Sequence, residues 1–150
     1  MNITDKTRTI ESAEAIGPSS LHLSWSDGTE ADLDLAATLK NRAFATLRDP
    51  DAFALVEVAE WGHGLSWPSG AEMGADALWL ETLSATGHED VRAFLEWRIR
   101  HALSLSKAAD ALGVSRRMVA YYSNGEKKVP KPILLACTGW EVNNGMHRAA

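Results

Sequence analysis

The spacing of apolar positions changes character near the middle of the chain. Ser20 to Trp25 alternates as S-L-H-L-S-W, Asp27-Gly28 interrupts it, and Thr29 to Leu35 resumes as T-E-A-D-L-D-L with Leu33 and Leu35 on one face. Two period-two runs separated by Asp-Gly predict a β-hairpin. Leu35, Leu39, Ala43, Phe44 and Leu47 then recur at helical spacing and predict an amphipathic helix that ends near the Asp49-Pro50 turn. Two more strands are expected at about residues 54–59 and 64–67, the second closed by Pro68-Ser69-Gly70, followed by a short helix holding Ala77, Leu78, Leu80 and Leu83. Strands covered by one or two helices make a small α+β domain.

From about Glu89 the period is helical throughout. The first of these helices, about residues 89–103, has Val91, Leu95, Ile99, Ala102 and Leu103 as its core stripe with Phe94 at the edge. Trp97 falls off that stripe, so a contact with the first domain or with a second subunit is expected for it. Leu105 to Asn124, LSKAADALGVSRRMVAYYSN, reads as two short helices around a tight turn. Gly113 stands where a helix C-terminus needs a left-handed residue, and Ser115 is a good N-cap for the next helix. Two helices crossing over a turn of about 3–4 residues leave little room at the crossing, which suits Ala109. Met118, Val119 and Tyr122 are expected to face the core; Arg116, Arg117, Ala120 and Tyr121 are then left facing out.

That outward set has a specific chemistry. An arginine at the start of a helix in the DNA major groove can give two parallel hydrogen bonds to O6 and N7 of guanine, and Arg116 and Arg117 offer two such donors. Tyr121, one turn on, can reach a thymine methyl or a phosphate. Asn124, Lys127 and Lys128 follow in a polar turn suited to backbone phosphates, which fix register without reading sequence. A glycine turn between helices and a basic solvated face occur in proteins that bind no DNA. The coincidence of Ala109, Gly113, Val119, a capped second helix and clustered cations favours the DNA reading.

Residues 98–140 resemble the Cro/phage-repressor type of helix-turn-helix domain found in many bacterial regulators. The resemblance implies a recognition helix at about 115–124, with base contacts from Arg116, Arg117 and Tyr121 and phosphate contacts from Ser115, Asn124, Lys127 and Lys128. Three departures are visible. Leu105 stands where such domains often have a phosphate-binding glutamine. Ser123 stands where a glutamate often pairs with an arginine of the first helix, here Arg98. The usual fifth helix is not evident after Val142.

The first half resembles a small bacterial domain family of uncharacterised function. The resemblance is carried over about residues 10–80 by Asp27, Gly28, Asp34, Leu47, Asp49, Pro50, Phe53, Trp67, Pro68, Gly70, Asp76 and Leu78. Members occur alone, fused to helix-turn-helix domains, or in settings suggestive of toxin-antitoxin pairs, which implies a regulatory or partner-binding module.

Charge divides the chain in the same place. Residues 1–87 carry 5 Lys/Arg against 14 Asp/Glu, a net of −9, and residues 88–150 carry 10 against 6, a net of +4. The overall −5 therefore hides a basic half. Duplex phosphates respond to the local face, so the acidic half is expected to point away from DNA or to cover the basic half. The expected division is an α+β interaction or sensor domain at 1–83 and an all-α helix-turn-helix domain at 84–150.

Other chemistries find little support. Asp32, Asp34 and His63 are raw material for acid–base work, but one of the two aspartates can cap the helix expected near Leu35 and His63 suits an exposed glycine-flanked turn; no phosphate loop or nucleophile motif accompanies them. No enzyme activity, cofactor or metal is expected. The N-terminus lacks a signal-peptide pattern, no apolar run approaches membrane-spanning length, and the single Cys137 cannot form an internal disulfide. The expectation is a cytoplasmic bacterial DNA-binding transcriptional regulator acting as a homodimer on double-stranded DNA. The rival is an antitoxin-like module whose acidic half binds a small partner protein. Four of the six tryptophans, Trp25, Trp61, Trp67 and Trp79, fall in the first half, and most of them are expected in its core and hairpin packing.

Overall fold

In the computed structural model, residues 8–145 are described. They divide between Thr86 and Gly87 into two units, an α+β one and a helical one. A division after Leu83 would cut the helix Ala75–Ala85.

The first unit is built on two antiparallel three-stranded sheets. Strands β1 (Ile10–Ala15), β2 (Ser20–Trp25) and β3 (Glu30–Asp34) lie in that order, with Leu21 opposite Leu33 and Leu23 opposite Ala31. The alternation read from S-L-H-L-S-W is the observed one: Leu21, Leu23 and Trp25 are buried, while His22 and Ser24 lie on the more open face. At the hairpin Gly28 has φ 90° and the Thr29 N–H donates to Asp27 Oδ1 at 2.9 Å, so the Asp-Gly pair supplies both the positive φ and the side-chain acceptor of the turn. The second sheet is smaller: β4 (Glu57–Val58), β5 (Gly64–Ser66) and β6 (Glu72–Gly74). Helix α2 (Ala75–Ala85) follows β6 and buries Leu78, Trp79, Thr82 and Leu83. The Trp25 indole donates to Thr82 Oγ1 at 3.1 Å and meets Trp79 edge-on at 5.1 Å, tying sheet to helix.

One expectation for this unit is corrected. The segment 35–47 is not one amphipathic helix: it forms 3-10 turns at Thr38–Lys40 and Arg42–Arg48, interrupted at Asn41 in extended conformation. Asn41 breaks the run because its side chain accepts from Ala43 N–H and caps the second turn. A four-residue helix α1 (Pro50–Phe53) then starts from Asp49, which caps Asp51 N–H. Of the four tryptophans in this unit Trp61 is the one outside the core: it sits 77% exposed with φ 64°, next to Gly62, where a Cβ would stand 2.7 Å from the Ile10 carbonyl oxygen. The expected short helix holding Ala77, Leu78, Leu80 and Leu83 is α2, whose buried side includes Trp79 and Thr82, where the Trp25 indole lands.

The second unit consists, among the described residues, of four helices: α3 (Glu89–Arg100), α4 (Leu105–Leu112), α5 (Arg116–Ser123) and α6 (Lys131–Asn143). Trp97 is 1% exposed and lies in the core of this unit, its ring 5.8 Å from Phe94 and 5.6 Å from Trp140 on α6. The expected contact with the other domain or a second subunit is therefore wrong. Helix α3 is covered on two sides, by Tyr122 of α5 against Phe94 and by Trp140 of α6 against Trp97, so its buried face is wider than a single stripe. Ile99, assigned to that stripe, is instead 37% exposed, and Ala102 lies in the turn after the helix with φ 51°. Glu141 of α6 is buried and holds the end of α3 through Arg100 Nε at 3.1 Å and His101 Nε2 at 2.5 Å.

Candidate nucleic-acid interface

Helices α4 and α5 are eight residues each and are separated by Gly113, Val114 and Ser115. Ser104 caps α4, accepting from Lys107 N–H at 3.1 Å. At its other end Gly113 is left-handed, with φ 70°, and the N–H groups of Gly113 and Val114 converge on the Ala109 carbonyl at 2.9 and 3.1 Å. A residue with a Cβ would be strained there, so the glycine is what allows the chain to leave α4 at this angle. Ser115 then caps α5 by accepting from Met118 N–H at 3.1 Å. The first turn of α5 carries no acid, so the positive end of its dipole and two guanidinium groups point the same way electrostatically.

The inner face of α5 is anchored by Val119, Ala120, Tyr122 and Ser123, all buried. Ala120 was expected on the outer face. Its small side chain lies against the unit because the anchored sector of α5 runs on from Val119 to Ser123. Tyr122 meets Phe94 edge-on at 5.6 Å. Arg98 Nη1 donates to Ser123 Oγ at 2.8 Å and Arg98 Nε to the Leu103 carbonyl at 3.1 Å, joining α3, the turn after it and the end of α5. Burial pulls the Arg98 guanidinium below the usual arginine range. The hydroxyl of Ser123 thus partners this arginine at the position noted as a departure from the resemblance.

What α5 leaves outside is narrower than the expected contact set. Arg116 and Arg117 are exposed and, among the described residues, neither is held in an ion pair. Tyr121 is half-buried, and the Lys127 ammonium lies 4.9 Å above its ring, a cation–π contact that fixes this lysine next to α5. The N–H groups of Glu126 and Lys127 both donate to the Tyr121 carbonyl, which folds the following turn back on the helix. Lys128 is exposed beside it. Ser115 is exposed; its oxygen serves the cap while its hydroxyl proton can still be given to a phosphate. Asn124 departs from expectation: it is 8% exposed and its backbone N–H closes α5 on the Ala120 carbonyl, so its side chain is not part of the outer surface. Lys107, exposed in the first turn of α4, was not singled out by the sequence pattern. Its position three residues after the Ser104 cap is the signal that could have found it.

The other candidate residues do not assemble. Asp34 accepts from Ala36 N–H at 3.0 Å as a turn cap, and His63 is exposed in its own turn. Asp32 instead faces His22, whose Nδ1 lies 2.6 Å from Asp32 Oδ1 and whose Nε2 lies 3.0 Å from Glu30 Oε1. Hydrogen bonds first to Asp32 and then to Glu30 raise the His22 pKa. Cys137 is buried in α6, and burial pushes its thiol up to about 12, which makes it inert at neutral pH. Among the described residues no group of three or more His, Cys, Asp or Glu side chains is placed to hold a metal ion. Among them, too, no helix is long and apolar enough to cross a membrane.

Residues 10–82 match a family described as a protein of unknown function (DUF2442). The motif residues of that segment have architectural roles here: Asp27 and Gly28 in the hairpin turn, Asp49 as a cap, and Phe53 stacked on Trp67, whose indole donates to the Phe53 carbonyl at 2.9 Å. Among solved structures, the crystal structure of the putative DNA binding protein NE0471 from Nitrosomonas europaea ATCC 19718 is 38% identical, with a TM-score of 0.71. The match spans 94% of this chain and 90% of that one, both units included. This chain belongs to the same family as the Nitrosomonas protein. Among curated proteins none matches the chain.

Proposed function

We propose that the protein is a sequence-specific DNA-binding transcriptional regulator of the Cro/repressor type, with α5 as the recognition helix in the major groove. The observation that carries this reading is the outer face of α5, where Arg116 and Arg117 are exposed at a capped, acid-free helix start. Arg116 and Arg117 read base edges, Tyr121 lies at the edge of the contact, and Ser115, Lys127 and Lys128 hold phosphates. The name of the Nitrosomonas relative supports a DNA partner in the same sense.

The regulator acts as a homodimer on half-sites about 34–36 Å apart. Leu135 and Val142, 59% and 56% exposed and seven residues apart on α6, support a self-association face on this unit. Mobility shifts with random duplexes at low and high salt test the function. Affinity should fall steeply with salt, with a log–log slope of roughly −0.9 for each phosphate neutralised, and Lys127→Ala or Lys128→Ala should each flatten it. No retardation at low salt would reject the reading.

A second role rests on Trp61. A tryptophan 77% exposed and held at φ 64° is a residue type favoured at binding hot spots, and it supports a protein partner for the acidic unit. Trp61→Ala should abolish co-purification of such a partner while leaving DNA retardation intact.

A further inference from the structure

Two asparagines of the helical unit are each followed by glycine, Asn124-Gly125 and Asn144-Gly145. Such a pair carries a reaction of its own. The glycine nitrogen can close a five-membered ring on the side-chain carbonyl carbon before it, and the absence of a Cβ leaves that nitrogen accessible and free to turn. Nothing in the sequence ranks the two pairs; the fold does.

In both pairs the glycine is left-handed and its N–H is already given to the carbonyl three residues back, Gly125 to Tyr122 at 3.2 Å and Gly145 to Val142 at 3.0 Å. The nucleophile is therefore held, and the turn must open before the ring can form. The cost of opening sets the rate. Asn124 is 8% exposed, its N–H closes α5 on the Ala120 carbonyl at 3.0 Å, and the chain beyond it is folded back by the Glu126 and Lys127 N–H groups on the Tyr121 carbonyl. Opening that turn undoes the end of α5. Asn144 is exposed in the last turn of α6, where Val142 and Asn143 are exposed as well, and its side chain is held by one exposed hydrogen bond from Nδ2 to the Trp140 carbonyl at 2.7 Å. Helix ends of this kind open at little cost.

We propose that Asn144-Gly145 is a spontaneous modification site, converted in the folded protein to aspartate and isoaspartate, while Asn124-Gly125 is spared. Gly145 N gives its proton to water and attacks Asn144 Cγ; the N–Cγ bond forms, the Cγ–Nδ2 bond breaks, and the nitrogen takes up a proton and leaves as ammonia. Water then opens the cyclic imide at either carbonyl. The sum is amide plus water to acid plus ammonia, with no other reactant.

The product matters to α6. The Asn144 amide is a donor to the carbonyl of Trp140, the residue whose ring covers Trp97. A carboxylate has no proton for that carbonyl, and it places negative charge at the negative end of the helix. Modification therefore loosens the turn that carries Val142.

The test is incubation of the full chain near neutral pH, in buffer and in urea, with peptide mass mapping of the amide-to-acid change at each asparagine. In urea both pairs should react at comparable rates. In buffer Asn144 should stay within about threefold of its rate in urea, and Asn124 should slow by roughly tenfold or more, the difference between a frayed helix end and a closed turn. Asn144→Gln, which would need a larger ring, should abolish the change at this position and leave the thermal transition of the helical unit near that of wild type. Asn144→Asp should lower that transition by about 1–8 °C. Equal rates at the two asparagines in buffer, or an Asn144 as strongly protected as Asn124, would overturn the site. An unchanged transition in Asn144→Asp would overturn the consequence for α6.

Discussion

Replacing Trp97 by alanine tests where this side chain does its work. The ring is 1% exposed, meets Phe94 at 5.8 Å and Trp140 at 5.6 Å with the two indoles at 88°, and its removal leaves a hole between α3 and α6. Large-to-small changes of a buried Trp cost about 3–5 kcal/mol, including the lost edge-to-face contacts. One term works the other way. The indole Nε1 is buried and finds no hydrogen-bond partner among the described residues, an existing penalty of about 1–3 kcal/mol that the alanine variant relieves. The net loss should lie near the lower end, about 3 kcal/mol. For a unit of about 60 residues each kcal/mol moves Tm by about 4–8 °C, so the transition of the helical unit should fall by about 12–24 °C. Calorimetry of the full chain should show that transition displaced and the α+β transition in place. Trp97→Phe keeps an aromatic ring and sheds the unpaired N–H, and should lie within about 1 kcal/mol of wild type. An alanine variant as stable as wild type, or a phenylalanine variant as damaged as alanine, would refute the packing argument.

Three further outcomes follow from the same geometry. Ala102→Gly should raise the urea midpoint by an amount equivalent to about 0.5–1 kcal/mol, because a residue with a Cβ is held at φ 51° in the turn between α3 and α4. Ser123→Ala should cost about 1–3 kcal/mol in the same assay by removing the hydroxyl that accepts from Arg98 at 2.8 Å in a buried site. His22, whose pKa is raised by hydrogen bonds to Asp32 and Glu30, stabilises the fold fully below its unfolded pKa of about 6.5 and loses that contribution as pH rises through the raised folded value; His22→Gln should flatten the stability curve above pH 6.5, read by urea unfolding at a series of pH values.

Local causes were legible in the sequence, and distant ones were not. The Asp27-Gly28 hairpin, the left-handed Gly113 and the Ser115 cap each have their physical reason within four residues, and all three are found where the pattern places them. Strand β1 was missed because I-E-S-A-E-A has one large apolar residue and a bulge after Ile10, so most of its reason to be extended is pairing with β2. The 3-10 segment was read as a helix because Leu39, Phe44 and Leu47 keep a helical spacing, while the break comes from the Asn41 side chain capping Ala43. The place of Trp97 is not legible because Trp140 covers it from α6, widening the buried face of α3 beyond one stripe, and nothing near residue 97 announces that distant partner. In the candidate interface, the exposure of Arg116 and Arg117 followed from the N-cap and the helical period. The burial of Asn124 and the placing of Lys127 over Tyr121 depend on how the turn after α5 folds back, which the polar run Asn-Gly-Glu-Lys-Lys does not specify.

The central claim, base reading by the start of α5, is tested most directly by selecting bound duplexes from a random pool with the wild-type chain and with Arg116→Ala and Arg117→Ala. The wild type should enrich a symmetric pair of half-sites containing guanine, and each variant should lose preference at a guanine position by an amount equivalent to about 1–3 kcal/mol while preferences elsewhere persist. Enrichment of no sequence by the wild type, or the same sequence enriched by all three proteins, would contradict the account.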